Sequence, residues 1–153
     1  MRHLKKSLMM TIVIGLVTLF AVAIYAGTTV DDVFKMENKI YKKHKKSIVE
    51  FTHKKHNVDY KIGCGECHHD EEGKALDDLK LGESEVQGCA ECHKKPGILK
   101  GKKAKGKTDK EKREYHGNAL HENCIKCHKA FNKKNKTKKA PQTCKTCHPK
   151  KKK

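Results

Sequence analysis

The sequence predicts one small domain whose core is not made of packed side chains. Three observations carry this. Of 153 residues, 35% are hydrophobic and 5% aromatic, with no Trp, against roughly 45–50% apolar in an average soluble domain. Lys+Arg number 36 and Asp+Glu 18, a formal net charge of +18. Eight cysteines are present. Much of the apolar content lies between residues 8 and 26, so the remainder is too polar and lysine-rich for a typical α/β enzyme or a β-sandwich. Such a chain is either disordered or built on disulfides, metals or a bulky cofactor. The cysteines decide between these.

The chain opens Met1-Arg-His-Leu-Lys-Lys6, basic and without an acid, and then runs apolar from Leu8 to Ala26. Small residues close the run, at Ala21-Val-Ala23 and at Ala26-Gly27. This layout is that of a secretory signal cleaved after Ala23 or Ala26. The run is also nearly long enough to serve as an uncleaved membrane anchor. Either way the remainder is exported, and residues 1–26 stand apart from the fold. Residues 27–50 form an N-terminal segment. Within it Val33, Met36 and Ile40 have helical spacing across Asp31–Lys46, while Ile48, Val49 and Phe51 suggest a short extended piece.

The cysteines form four Cys-x-x-Cys pairs: Cys64/Cys67, Cys89/Cys92, Cys124/Cys127 and Cys144/Cys147. Histidine follows each at once, as His68, His93, His128 and His148. Cys-x-x-Cys-His is the attachment signature of c-type haem. Two thiols on one helical turn reach the two vinyl groups on one porphyrin edge, and the next residue turns its imidazole under the ring toward the iron. Disulfides suit an exported chain and zinc suits paired Cys-x-x-Cys knuckles, but neither explains a histidine after every pair.

Four haems require four more axial ligands if every iron is six-coordinate. The methionines lie at positions 1, 9, 10 and 36, so His/Met ligation cannot be general. Seven further histidines are present, at positions 3, 44, 53, 56, 69, 116 and 121. His53 and His56, three apart, share a helical face or diverge from a turn; lysine-rich surfaces also carry solvent-exposed histidines. His69 directly follows His68. Neighbouring side chains cannot hold one iron from opposite sides, so His69 is free to hold a second haem close by. Tyr115-His-Gly-Asn-Ala-Leu-His121 offers two more candidates, His116 and His121.

Phe51-Thr-His-Lys-Lys-His56, Cys64-Gly-Glu-Cys-His-His69 and the three further motifs together resemble the class III cytochromes c, over about residues 33–149. These are small, low-potential tetrahaem electron carriers of anaerobic, often sulfate-reducing, bacteria. The resemblance implies a mainly α, loop-rich multihaem cytochrome fold with a haem core and a small N-terminal β-hairpin, and mostly irregular chain before the first ligands. It implies short helices at the haem motifs and near Tyr115–Leu120. It also implies bis-histidine ligation throughout. The first haem then takes Cys64, Cys67, His68 and His53. The second takes Cys89, Cys92, His93 and His69. The third takes Cys124, Cys127, His128 and His56. The fourth takes Cys144, Cys147, His148 and, by the family pattern, His121 rather than His116. His44 has no role and is expected at the surface. Residues 51–149 are the tetrahaem domain. Lys100–Lys112 and the basic tail, residues 150–153, depart from the pattern and are expected to be solvated and mobile.

Charge is unevenly placed. Residues 27–91 carry 11 Lys+Arg against 14 Asp+Glu, whereas residues 92–153 carry 22 against 4. A basic second half fits an acidic partner meeting the fourth haem near Lys145 and Lys150–Lys153. The resemblance implies a periplasmic hydrogenase or a membrane-bound cytochrome complex as such a partner. Nucleic acid is the rival use of so many lysines, but export and scarce aromatics for base stacking oppose it. The expected function is periplasmic electron transfer by a non-enzyme. A multihaem reductase would need one iron with a vacant position, and eight histidines leave none.

Overall fold

A computed structural model describes residues 30–150. The apolar run at 8–26, with its reading as signal or anchor, and Lys151–Lys153 lie outside the described residues. Among the described residues, no helix is long and apolar enough to cross a membrane.

Two strands open the fold. β1 (Phe34–Lys35) pairs antiparallel with β2 (Glu50–Phe51), with Phe34 opposite Phe51. The two rings meet edge to face at 5.5 Å, a cross-strand aromatic pair that fixes the register of a very short sheet. The helix that spacing suggests over Asp31–Lys46 does not form. Met36 N–H donates to Val49 C=O and extends the ladder, and Asn38 Oδ1 accepts from Ile40 N–H in an Asx turn. Val33 remains 51% exposed, so the proposed helical stripe has no element to face. Extended pairing satisfies the backbone where a helix would bury nothing.

A π-helical turn (Lys55–Asp59) and a 3₁₀ turn (Cys64–Glu66) follow. Residues 69–88 are turns and irregular chain, with one isolated antiparallel bridge between His69 and Ala75 and with Gly73 and Gly82 at positive φ. α1 (Cys89–Cys92) is one turn whose first amide, Gly88 N–H, donates to Glu91 Oε1. The Lys100–Lys112 stretch, expected to be solvated and mobile, is mostly exposed and carries regular structure. It contains a 3₁₀ turn (Gly101–Ala104) and α2 (Asp109–Arg113). Thr108 caps α2 by accepting from Glu111 N–H, and Glu111 reaches back to Thr108 N–H. Lysine-rich composition conceals this capping box.

α3 (His116–Lys134) is the principal element, 19 residues long. It extends well beyond the short Tyr115–Leu120 helix expected and absorbs the third motif. Gly117, His121, Cys124, His128 and Asn132 recur at three- and four-residue steps, so they share one face. Lys136, at φ 48°, ends the run, and Thr137 N–H returns to Asn132 C=O. α4 (Cys144–Cys147) is capped by Thr143. The chain is thus rich in helices and loops with one small antiparallel sheet.

No apolar side chain is buried among the described residues; the buried residues there are His116 (6% exposed), Gly117 and Asn132 (5%). The faces turned inward carry histidine, cysteine, asparagine and glycine.

Candidate functional site

Each motif places its histidine by the same backbone bond. His68, His93 and His148 N–H donate to the carbonyls of Cys64, Cys89 and Cys144, each at 2.9 Å. In the third motif the same i to i+4 step lies inside α3. One helical turn therefore presents both thiols and aims the following imidazole.

Every motif histidine faces a second histidine ring. His53 and His68 have centroids 6.3 Å apart, His69 and His93 5.8 Å, His56 and His128 6.1 Å, and His121 and His148 6.3 Å. A metal bridged by two imidazoles needs two bonds of roughly 2 Å, and about 1 Å more from each nitrogen to its ring centre, or about 6 Å in all. The four pairs match that span.

Five of these eight rings are also tied at Nδ1. His56 donates to Thr52 C=O at 2.8 Å, His69 to Asp70 C=O at 2.7 Å, His93 to Arg113 C=O at 2.6 Å, His128 to Pro141 C=O at 2.5 Å and His148 to Ser47 C=O at 2.7 Å. A proton held on Nδ1 leaves the Nε2 lone pair for a metal and fixes the ring plane.

No disulfide joins any two of the eight cysteines. Among the described residues no three His, Cys, Asp or Glu side chains gather as a zinc ion needs. Burial first, then Cys67, Cys147, Cys89 and Cys127, hold the Cys124 thiol up at about 11. Cysteines of the first, second and fourth motifs therefore lie near enough to act on the third. Burial also raises Cys67 and Cys89. That direction is opposite to the lowered pKa of an activated thiolate. The donor set fits covalent haem: paired thiols on one turn, and imidazoles in pairs at the span of a shared metal. A model of the class III cytochrome c family matches residues 29–148.

The chain belongs to the class III cytochrome c family. No curated protein and no solved structure matches it. As a class III cytochrome c it is a multihaem electron-transfer protein carrying covalently bound c-type haem. Members of the family are electron carriers.

Within this cytochrome His116 and His121 have separate surroundings. His121 lies opposite His148, and burial, then His148, lowers its pKa. It also lines a groove of about 400 Å³ with Ile98, Asn118 and Ile125. His116 is buried, and its Nδ1 is 3.0 Å from the Tyr41 hydroxyl. Burial, then His93, lowers its pKa. His44, expected at the surface, is half-buried with its ring 5.0 Å from Tyr41. Burial, then His53 and His69, lowers the pKa of His68.

Several supporting residues escaped the sequence reading. Asn118 grips Leu99 by both amide atoms, its Oδ1 accepting from N–H at 2.6 Å and its Nδ2 donating to C=O at 3.1 Å. Asn132 grips Ala140 in the same way, at 3.1 and 2.8 Å. Each asparagine pins a loop onto α3, and the Ala140 clamp sits beside the Pro141 carbonyl that receives His128. Ser47 holds the fourth motif twice, by its carbonyl to His148 and by its hydroxyl to Pro149 C=O at 2.7 Å. Gly117 permits close approach: a Cβ there would lie 2.5 Å from Gly97 O. The three- and four-residue steps from Gly117 to Asn132 were the available signal for this face. Ser47 and Tyr41 gave none.

Proposed function

We propose that this class III cytochrome c is a periplasmic carrier with four c-type haems, each held between two histidines. The observation that carries the reading is the four facing histidine pairs at 5.8–6.3 Å, one at every motif. Cys64 and Cys67 form the thioethers of the first site, with His68 and His53 as ligands. Cys89, Cys92, His93 and His69 make the second site. Cys124, Cys127, His128 and His56 make the third, and Cys144, Cys147, His148 and His121 the fourth. When bound, c-type haem supplies a one-electron ferric/ferrous couple. The chain's own groups then fix the rings, exclude a vacant coordination position and hold the four sites close together. His53 and His56 lie three residues apart and serve different sites; His68 and His69 are adjacent and do the same. α3 bears His121 of the fourth site and the whole third motif.

The basic second half supports docking of an acidic redox partner at the fourth site, beside Lys145 and Lys150. A periplasmic hydrogenase or a membrane-bound cytochrome complex of anaerobic respiration has that role. The exported location rests on the N-terminal sequence.

Intact mass of the native protein tests the count: four haem additions resistant to acid-acetone are expected, and fewer additions or extractable haem overturn it. Carbon monoxide binding to the reduced protein should be negligible. A substantial high-spin EPR signal would point instead to a reductase with an open iron. For docking, Lys145→Glu with Lys150→Glu should slow electron exchange with an acidic partner more than Lys54→Glu with Lys55→Glu. Salt should abolish the difference, as the Debye length falls from about 10 Å at 0.1 M to about 3 Å at 1 M.

A further inference from the structure

The second and third sites have the same ligand bonding and opposite surroundings. Both histidines of each pair donate Nδ1–H to a backbone carbonyl. Such a bond makes an imidazole a stronger electron donor and favours the ferric state. Neither His53 nor His68 of the first pair makes such a bond, and in the fourth pair only His148 does. Between the two histidines of the second pair, residues 70–92 carry eight carboxylates and two lysines. All but Asp70 are exposed. Among the described residues only Glu83 of these eight is ion-paired, with Lys80 at 3.8 Å. Arg113, whose C=O receives His93, is already paired with Glu122, as Lys95 is with Glu114 and Lys112 with Asp109. Around His128, by contrast, residues 123–145 carry eight lysines and no acid.

We propose that the second site is the last of the four to accept an electron and the first to release one. Two observations act in the same direction there: doubled Nδ1 bonding and an uncompensated negative loop anchored to the site at both ends. At the third site the lysines oppose the bonding. The second site is then the low-potential end of the molecule. The inference rests on the four-haem reading, which intact mass tests separately.

The test is a stepwise reduction with dithionite, one electron per site, followed by NMR. Haem methyl signals are assigned to each site through contacts with its own motif. The second-site signals should move to their reduced positions last. Glu71→Gln, Glu72→Gln and Glu91→Gln combined should favour reduction of the second site by roughly twofold for each charge removed at about 10 Å. The Glu91→Gln side chain retains an oxygen for Gly88 N–H, so α1 keeps its cap. Third-site signals should shift less. Reduction of the second site before any of the other three overturns the proposal, as does an equal shift of the second and third sites in the triple variant. Fewer than four haems by mass would instead fail the underlying reading.

Discussion

The first and third histidine pairs are built by different means. His53 and His68 come from one short stretch of turns, and neither ring is tied at Nδ1. Aromatic packing holds His53, whose ring lies 6.2 Å from Phe34 and 6.0 Å from Phe51. His56 and His128 come from distant parts of the chain, and both are hydrogen-bonded to carbonyls. Without buried aliphatic side chains, a histidine is oriented by neighbouring rings, by backbone acceptors or, as at His56, by both. The N-terminal region uses the first device and the α3 region mainly the second.

Within the α3 region the distinction between ligand and clamp gives the largest expected effect. His121→Ala should leave the fourth site with one imidazole, so about a quarter of the iron becomes high-spin and binds carbon monoxide on reduction. His116→Ala should leave every site low-spin and only loosen the Tyr41 contact. EPR and carbon monoxide difference spectra separate the two. If His116→Ala opens an iron instead, the assignment of the fourth pair is wrong.

Phe51 tests the aromatic device. Its ring touches Phe34, His53 and His56, at 5.5, 6.0 and 4.7 Å. Truncating a well-buried Phe costs about 3–5 kcal/mol. Phe51 is half-buried, so Phe51→Ala should cost roughly 2–3 kcal/mol in guanidinium unfolding of the haem-loaded protein. The ligand-ring NMR signals of the first and third sites should move, while those of the second should not.

Asn132→Ala tests the opposite device. It removes two hydrogen bonds and leaves the Ala140 N–H and C=O without their partner, at a cost of about 1–3 kcal/mol. The His128 Nδ1–H should exchange faster with solvent, because the loop carrying the Pro141 carbonyl is released. The first site should be unchanged. Equal disturbance of both sites would mean that the four sites behave as one unit.

What the sequence disclosed follows the same division. The cysteine motifs were legible because covalent attachment demands a fixed spacing. The partners of the motif histidines entered through family resemblance, and the pairs it implied are those whose ring centres the fold brings to 5.8–6.3 Å of one another. The length of α3 was hidden because its inward face is histidine, cysteine, asparagine and glycine, which carries no apolar stripe. The helix suggested at 31–46 failed because spacing alone says nothing about what a stripe would pack against. The carbonyl acceptors of Thr52, Asp70, Arg113, Pro141 and Ser47 were invisible, since every residue carries a carbonyl and only the fold selects one.

The smallest effect concerns α2, where composition was most misleading. Glu111 is held down at about 2, first by Lys107, whose ammonium lies 2.7 Å away, and then by Thr108 N–H and hydroxyl. A carboxylate depressed below its ordinary range stabilises the fold above that range, and the contribution is lost as pH falls toward the folded value. The Glu111 cap should therefore be intact at pH 7, weaken below about 4.5 and vanish near 2. Glu111→Gln keeps an oxygen for Thr108 N–H but loses the charge. Amide protection at 109–113 should differ between the two proteins at pH 7, and the difference should close as the solution is acidified. Because Arg113 C=O receives His93, the His93 Nδ1–H should exchange slightly faster in the variant at pH 7. The His128 proton, bonded to Pro141, should not respond. A pH-independent difference at 109–113 would assign the stability of α2 to the neutral cap alone, and the ion pair would then contribute nothing to the second site.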